Sequence, residues 1–186
     1  MVSEAESHTV AHAGIMTGPV SIDIVFDPET EAFVRAEWDA LEARGLSSLA
    51  AYKDPNNRPH ISLYSGTTDD AASALHGSAI AVPFAVRLGP PILFGSGPRR
   101  VLARSVVPTR ALLDLRTAVH QQLAPIGAVA IEWMPHVTLA RRMQLSSLQE
   151  ALGLVGDDIT GRATGLRSWN SDTRTVTALR TEPGVA

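Results

Sequence analysis

The chain has 186 residues, 45% of them hydrophobic and 19% charged, a balance that suits one soluble globular domain with its own core. A formal net charge of −3 excludes a protein that holds long nucleic acid through a broad basic surface. The absence of cysteine excludes disulfides, thiolate metal sites and cysteine nucleophiles, so chemistry falls to histidine, hydroxyl, carboxylate and arginine.

Residues 1–18 read as a flexible arm. Its start, Met1 to His12, is acidic and polar and lacks the basic and apolar regions of a signal peptide, and no run in the chain approaches bilayer-spanning length. A cytoplasmic monomer without a membrane partner is expected. His8 and His12 are four apart in this arm but lack carboxylate partners, and they predict no metal site.

Residues 19–182 read as a single bilobal domain, and 183–186 as a short tail. Val20 to Phe26 alternates between Pro19 and Pro28 and predicts a strand. Asp27 then caps a helix with Pro28 at its first position, and Phe33, Val34, Trp38 and Leu41 recur at helical spacing to about Ala43, before the stop at Gly45. Phe33 and Trp38 are expected in the core. Asp54 to Arg58 forms a turn into a strand at His60, followed by a short helix between Asp69 and Ile80. Strands follow near Phe84 to Leu88 and Arg100 to Val107, separated by a glycine- and proline-rich loop from Pro90 to Pro98. Leu112, Leu115, Val119 and Leu123 give the core stripe of a helix within Pro108 to Ala124, closed by Pro125 and Gly127. His120 beside that stripe is expected to pack or to be solvated. A strand from His136, a short helix around Ser146 to Leu154, and strands around Gly161 to Arg167 and Thr175 to Arg180 complete the order.

One pattern occurs twice: Pro59-His60-Ile61-Ser62-Leu63 and Pro135-His136-Val137-Thr138-Leu139. Proline starts a strand without interrupting it, and it forces extended geometry on the residue before it. In a strand, His60 and Ser62 share one face while Ile61 and Leu63 anchor the other, and the second copy repeats this. In both halves a helix and a turn precede the motif strand. Two similar half-domains about a pseudo-two-fold axis would set the two His-x-Ser/Thr faces on opposite walls of one cleft.

Two facing imidazoles supply an acid and a base near neutral pH, and two hydroxyls can donate to phosphoryl oxygens. That combination suits a phosphodiester. The motifs resemble those of the two-histidine phosphoesterase superfamily, in particular its LigT-like or 2′-5′ RNA ligase group. The second, running on through Ala140 to Arg141, resembles the family pattern most closely; the first has Ser62 where many relatives carry threonine.

The resemblance implies an α+β, bilobal fold with antiparallel-rich sheets about a central cleft. It implies metal-independent opening of 2′,3′-cyclic phosphates on RNA ends or small cyclic nucleotides, with 2′-5′ RNA joining in some members and no cofactor. By the same resemblance His60 and His136 are the acid–base pair, Ser62 and Thr138 are phosphate ligands, and Arg141 binds nucleotide or phosphate. Arg141 has the wrong strand parity for the cleft unless a bulge redirects it. Tyr64 shares the parity of His60 and is read either as stacking on a base, with Phe94 closing over it, or as ordinary packing, as is Phe94. Trp133 is read as core or cleft lining. Arg58, Arg99, Arg100 and Arg142 are candidates for touching an RNA strand. ADP-ribose cyclic phosphate hydrolysis and a non-catalytic nucleotide- or RNA-binding module are the competing functions.

Overall fold

The computed structural model describes residues 19–67, 70–75, 81–128 and 132–181. His8, His12, the arm and the tail from 183 lie outside them, as does the second half of the helix expected before Ile80. The elements run β1 (Val20–Phe26), α1 (Pro28–Ala43), β2 (His60–Gly66), α2 (Ala71–Leu75), β3 (Phe84–Phe94), β4 (Arg99–Val106), α3 (Arg110–Leu123), β5 (His136–Gln144), α4 (Leu148–Leu152), β6 (Ile159–Asn170) and β7 (Thr175–Thr181).

Local chemistry sets the helix ends. Asp27 Oδ1 accepts the Thr30 amide at 2.7 Å, Pro28 occupies the first turn, and Gly45 takes the left-handed φ of +69° that ends α1. Thr109 caps α3 in the same manner through Leu112. Gly127, at φ +90°, turns the chain after it.

All strand pairings are antiparallel, in the order β2-β1-β6-β3-β4-β5 with β7 added along the outer half of β6. The succession β-α-β-α-β occurs twice, over β1 to β3 and β4 to β6, and the sheet order is symmetric under that exchange. Each unit gives its third strand to the other: β6 pairs with β1, and β3 with β4. Residues Phe84 to Leu88 of β3 pair with Ile159 to Ala163 of β6, joining the two halves edge to edge. The motif strands β2 and β5 lie at the two outer ends.

The helices are exchanged too. α1 rests on β6 and β5, and α3 on β2. Between helices and sheet lie Ile22, Ile24, Val34, Trp38, Leu41, Ile61, Leu63, Leu112, Val119, Val137 and Leu139, all buried. Ile61, Leu63, Val137 and Leu139 thus hold the motif strands from behind, each stabilising by about 1.5–3 kcal/mol. A buried ion pair ties the halves further: Arg104 of β4 meets both carboxylate oxygens of Glu37 on α1 and donates to the carbonyls of Gly89 and Gly156 at 2.9 and 2.8 Å.

Two expectations from the sequence are corrected. Phe33 is 52% exposed and lies outside the core, because the buried stripe of α1 runs through Thr30, Val34, Glu37, Trp38 and Leu41. Pro90 to Phe94 continues β3, and the turn is confined to 95–98. The prolines are tolerated because Gly89 and Pro90 fall in a bulge, where β4 skips from Val106 opposite Leu88 to Arg104 opposite Pro91.

Candidate active site

The two motif strands bring His60, Ser62, His136 and Thr138 to one cavity of about 770 Å³. Each imidazole is held by the same local device. His60 Nδ1 lies 2.6 Å from the carbonyl oxygen of Arg58, and His136 Nδ1 lies 2.8 Å from that of Met134. A carbonyl can only accept, so Nδ1 carries the proton in both and Nε2 is left for the cavity. Arg58 and Met134 each precede a proline, whose restriction to extended backbone presents that carbonyl back toward the ring two residues on.

Past each hydroxyl the strand carries a bulge. On β2, Ser62 pairs with Asp23 and Tyr64 with Ile22, so Leu63 is the extra residue; on β5, Thr138 pairs with Ala103 and Ala140 with Leu102, so Leu139 is extra. Two successive residues then point into the core. Tyr64 is one of these: it is 4% exposed, sits edge-on to His120 at 6.1 Å between ring centroids, and does not line the cavity. This corrects its expected place beside a base. The same register change turns Arg141 to the cavity, where its guanidinium stands 5.8 Å from the centroid of the Tyr52 ring.

Each motif strand is also pinned by a tryptophan from the opposite half. Trp133 Nε1 donates to the Ser62 carbonyl at 2.9 Å, and Trp38 Nε1 to the Thr138 carbonyl at 3.0 Å. The Arg116 guanidinium covers Trp133 at 4.7 Å. Trp38 is fully buried, as expected, whereas Trp133 both packs on the core and lines the cavity.

The surroundings of the two histidines differ. Phe94 lies against His136 in a tilted contact, with centroids 4.5 Å apart and planes at 47°. Burial pushes the His136 pKa below its usual value; the Met134 carbonyl opposes this, and the neighbouring His60 adds to it. On the other wall the Ser62 hydroxyl donates to Asp23 Oδ1 at 2.8 Å, and Arg167, on the next strand, stands behind Asp23.

Asp23, Arg167, Tyr52 and Trp169 were not singled out from sequence, though the last three line the cavity. For Asp23 and Arg167 the available signal was a charge in the middle of an otherwise strand-like segment, which requires a partner when buried. Among the arginines considered for RNA contact, Arg58 is paired with Glu31 at 2.6 Å, Arg100 reaches back to the Gly97 carbonyl, and Arg142 and Arg99 are exposed; none lines the cavity. His120 is packed, with Nε2 3.2 Å from the Leu63 carbonyl. Among the described residues, no group of three or more His, Asp or Glu side chains is arranged to hold a metal ion, and no helix is long and apolar enough to cross a membrane.

Comparison with known proteins agrees with this fold. E. coli LigT complexed with 3′-AMP is similar at a TM-score of 0.57 and 16% identity, over 88% of this chain and 95% of that one. E. coli LigT complexed with NADP+ is similar at 0.53 and 20%, over 88% and 96%. A protein described as a phosphoesterase gives 0.54 and 17%, over 89% and 95%. No curated protein matches the chain. The sequence pattern of the 2′-5′ RNA ligase superfamily matches residues 28–174, spanning both histidine motifs, and the chain belongs to that superfamily, with the LigT-like two-histidine phosphoesterase fold.

Proposed function

We propose that the protein is a metal-independent phosphodiesterase that opens 2′,3′-cyclic phosphates to 2′-phosphates. The observation that carries this reading is the pair of imidazoles on one cavity, each with Nδ1 tied to a carbonyl and Nε2 left to exchange a proton with substrate. His136 is the base. Burial beneath Phe94 favours its neutral form, and its Nε2 takes a proton from water as the water oxygen attacks phosphorus. The bond from phosphorus to the 3′-oxygen breaks, and His60, which enters the step with a second proton on Nε2, delivers that proton to the leaving oxygen. Thr138 and Arg141 hold the non-bridging oxygens, whose charge the transition state spreads.

The cavity runs beyond the histidines past Ser65 to Trp169, and past Arg141 to Tyr52, offering two further rings for bases. That length favours a substrate larger than a mononucleotide: an RNA end carrying a cyclic phosphate, or ADP-ribose cyclic phosphate. The nucleotides held by the LigT structures, 3′-AMP and NADP+, belong to the same chemical class. Turnover should be compared for cyclic mononucleotides, cyclic-phosphate-ended RNA and ADP-ribose cyclic phosphate, all in chelator. The expected result is 2′-phosphate product, fastest from one of the larger substrates. Activity lost in chelator and restored by a divalent ion would contradict the mechanism, and tight binding without turnover would favour the non-catalytic module.

A further inference from the structure

The two long helices present equivalent residues to the motif strands. Trp38 is the eleventh residue after Asp27, the cap of α1, and His120 is the eleventh after Thr109, the cap of α3. Each turns a ring nitrogen to the strand its helix covers. Trp38 Nε1 donates to the Thr138 carbonyl at 3.0 Å, and His120 Nε2 lies 3.2 Å from the Leu63 carbonyl. A carbonyl only accepts, so the His120 hydrogen is on Nε2 and its Nδ1 is bare. Leu63 is the extra residue of the β2 bulge and follows Ser62, whose own carbonyl takes the Trp133 indole. A bulge residue is left out of the ladder, and its carbonyl needs another donor. Two successive carbonyls beside the Ser62 hydroxyl are therefore held by side chains, one by an indole and one by an imidazole.

His120 differs from Trp38 in that it titrates. Its Nδ1 is buried and has no hydrogen-bond partner among the described residues. Arg116 stands one turn earlier on the same helix, its guanidinium over Trp133. From β2, Tyr64 meets the ring edge-on at 6.1 Å, and His60 lies on the cavity side of that strand. The other elements packed on α3, namely α2 and Ala124–Ile126, carry no titratable side chain. None of these groups is a carboxylate that could take a hydrogen from Nδ1. Burial pushes the His120 pKa below its usual value, the Arg116 charge adds to this, and the Leu63 carbonyl opposes it. A second proton would set a new charge beside Arg116 and an N–H without an acceptor, so the ring keeps its place only while neutral.

We propose that His120 is a positioning residue for the Ser62 wall of the cavity, a titratable counterpart of Trp38 that fixes the β2 bulge while neutral and releases it in acid. The bulge sets where Ser62 and His60 stand relative to the phosphate. That kinetic consequence rests on the phosphodiester reading above.

The test compares two variants of the full chain. His120→Gln keeps an N–H at the place of Nε2 and cannot titrate, whereas His120→Leu removes the donor. At about pH 8, His120→Leu should lower kcat for a nucleoside 2′,3′-cyclic phosphate about fivefold, with KM within about twofold, and speed hydrogen exchange in β2 by a similar factor. His120→Gln should restore both to within about twofold of wild type. The third readout is the unfolding midpoint against pH. The folded ring binds its proton less readily than the unfolded one, so wild type should lose stability relative to His120→Gln as pH falls from about 7 to about 5. That comparison decides even where His120→Leu folds poorly. Equal kcat losses in the two variants, wild-type kcat and exchange in His120→Leu, or midpoints of wild type and His120→Gln that fall in parallel would overturn the proposal. The expected exchange and midpoints without turnover of any cyclic phosphate would overturn only the hydrolase reading.

Discussion

The two motif strands share their backbone devices and differ in what stands beside them. Both begin at a proline, both tie histidine Nδ1 to the carbonyl two residues back, both bulge after the hydroxyl, and both are pinned by an indole from the opposite half. Yet His136 lies under Phe94, whereas the β2 wall is backed by the buried ion pair of Asp23 and Arg167. The backbone places the two imidazoles and hydroxyls alike, and the neighbouring side chains give them different surroundings, which under the proposed mechanism means different work. Breaking the shared devices should therefore damage both halves alike, and altering the neighbours should separate them.

The largest loss is expected from the imidazoles themselves. His60→Ala and His136→Ala should each lower turnover by about 10²- to 10⁴-fold with the fold intact, as removal of a general acid or base does. Turnover within twofold of wild type would remove that histidine from the mechanism. Next is the tie between halves. Glu37→Ala strands a fully buried Arg104 and should cost roughly 3–5 kcal/mol in denaturant unfolding. A loss below about 1 kcal/mol would mean that the ion pair adds little to the strand pairing and apolar packing that join the halves.

Smaller effects should follow from the tryptophans. Trp38→Phe and Trp133→Phe each leave a motif-strand carbonyl without its donor, at a cost of about 1 kcal/mol, roughly a fivefold loss if it falls on the transition state. The symmetric arrangement predicts losses of similar size in the two variants; a marked inequality would show that only one strand needs its clamp. Phe94→Ala addresses the difference between halves. Removing the ring admits water to His136 and relieves the burial that lowers its pKa. Because the base must be neutral, the acid limb of the kcat/KM profile should move to higher pH.

Much of this fold was legible because its signals are local. A proline ahead of two-residue alternation gave the motif strands and the shared face of His60 with Ser62, and Asp27-Pro28 gave the start of α1. The bulges were not legible. Leu63 and Leu139 look like ordinary apolar strand positions, and only their pairing with β1 and β4 makes them extra residues. Period two therefore misplaced Tyr64, and it sent Arg141 to the wrong face except by way of the bulge considered for it. Asp23 and Arg167 are 144 residues apart in the chain and meet only because β6 crosses to pair with β1. Sequence periodicity carries no trace of that exchange. The buried Arg104 was hidden likewise, its partner Glu37 lying on a helix of the other unit.

The division of labour between the two histidines is read most directly from the pH dependence of kcat/KM for 2′,3′-cyclic phosphate in wild type and in each alanine variant. On the proposed roles the acid limb of the wild-type profile reports the neutral form of the base His136, so His136→Ala should lose that limb while His60→Ala keeps it. Loss of the acid limb in His60→Ala but not in His136→Ala would contradict a cleft in which two like motifs have been given unlike roles by their neighbours.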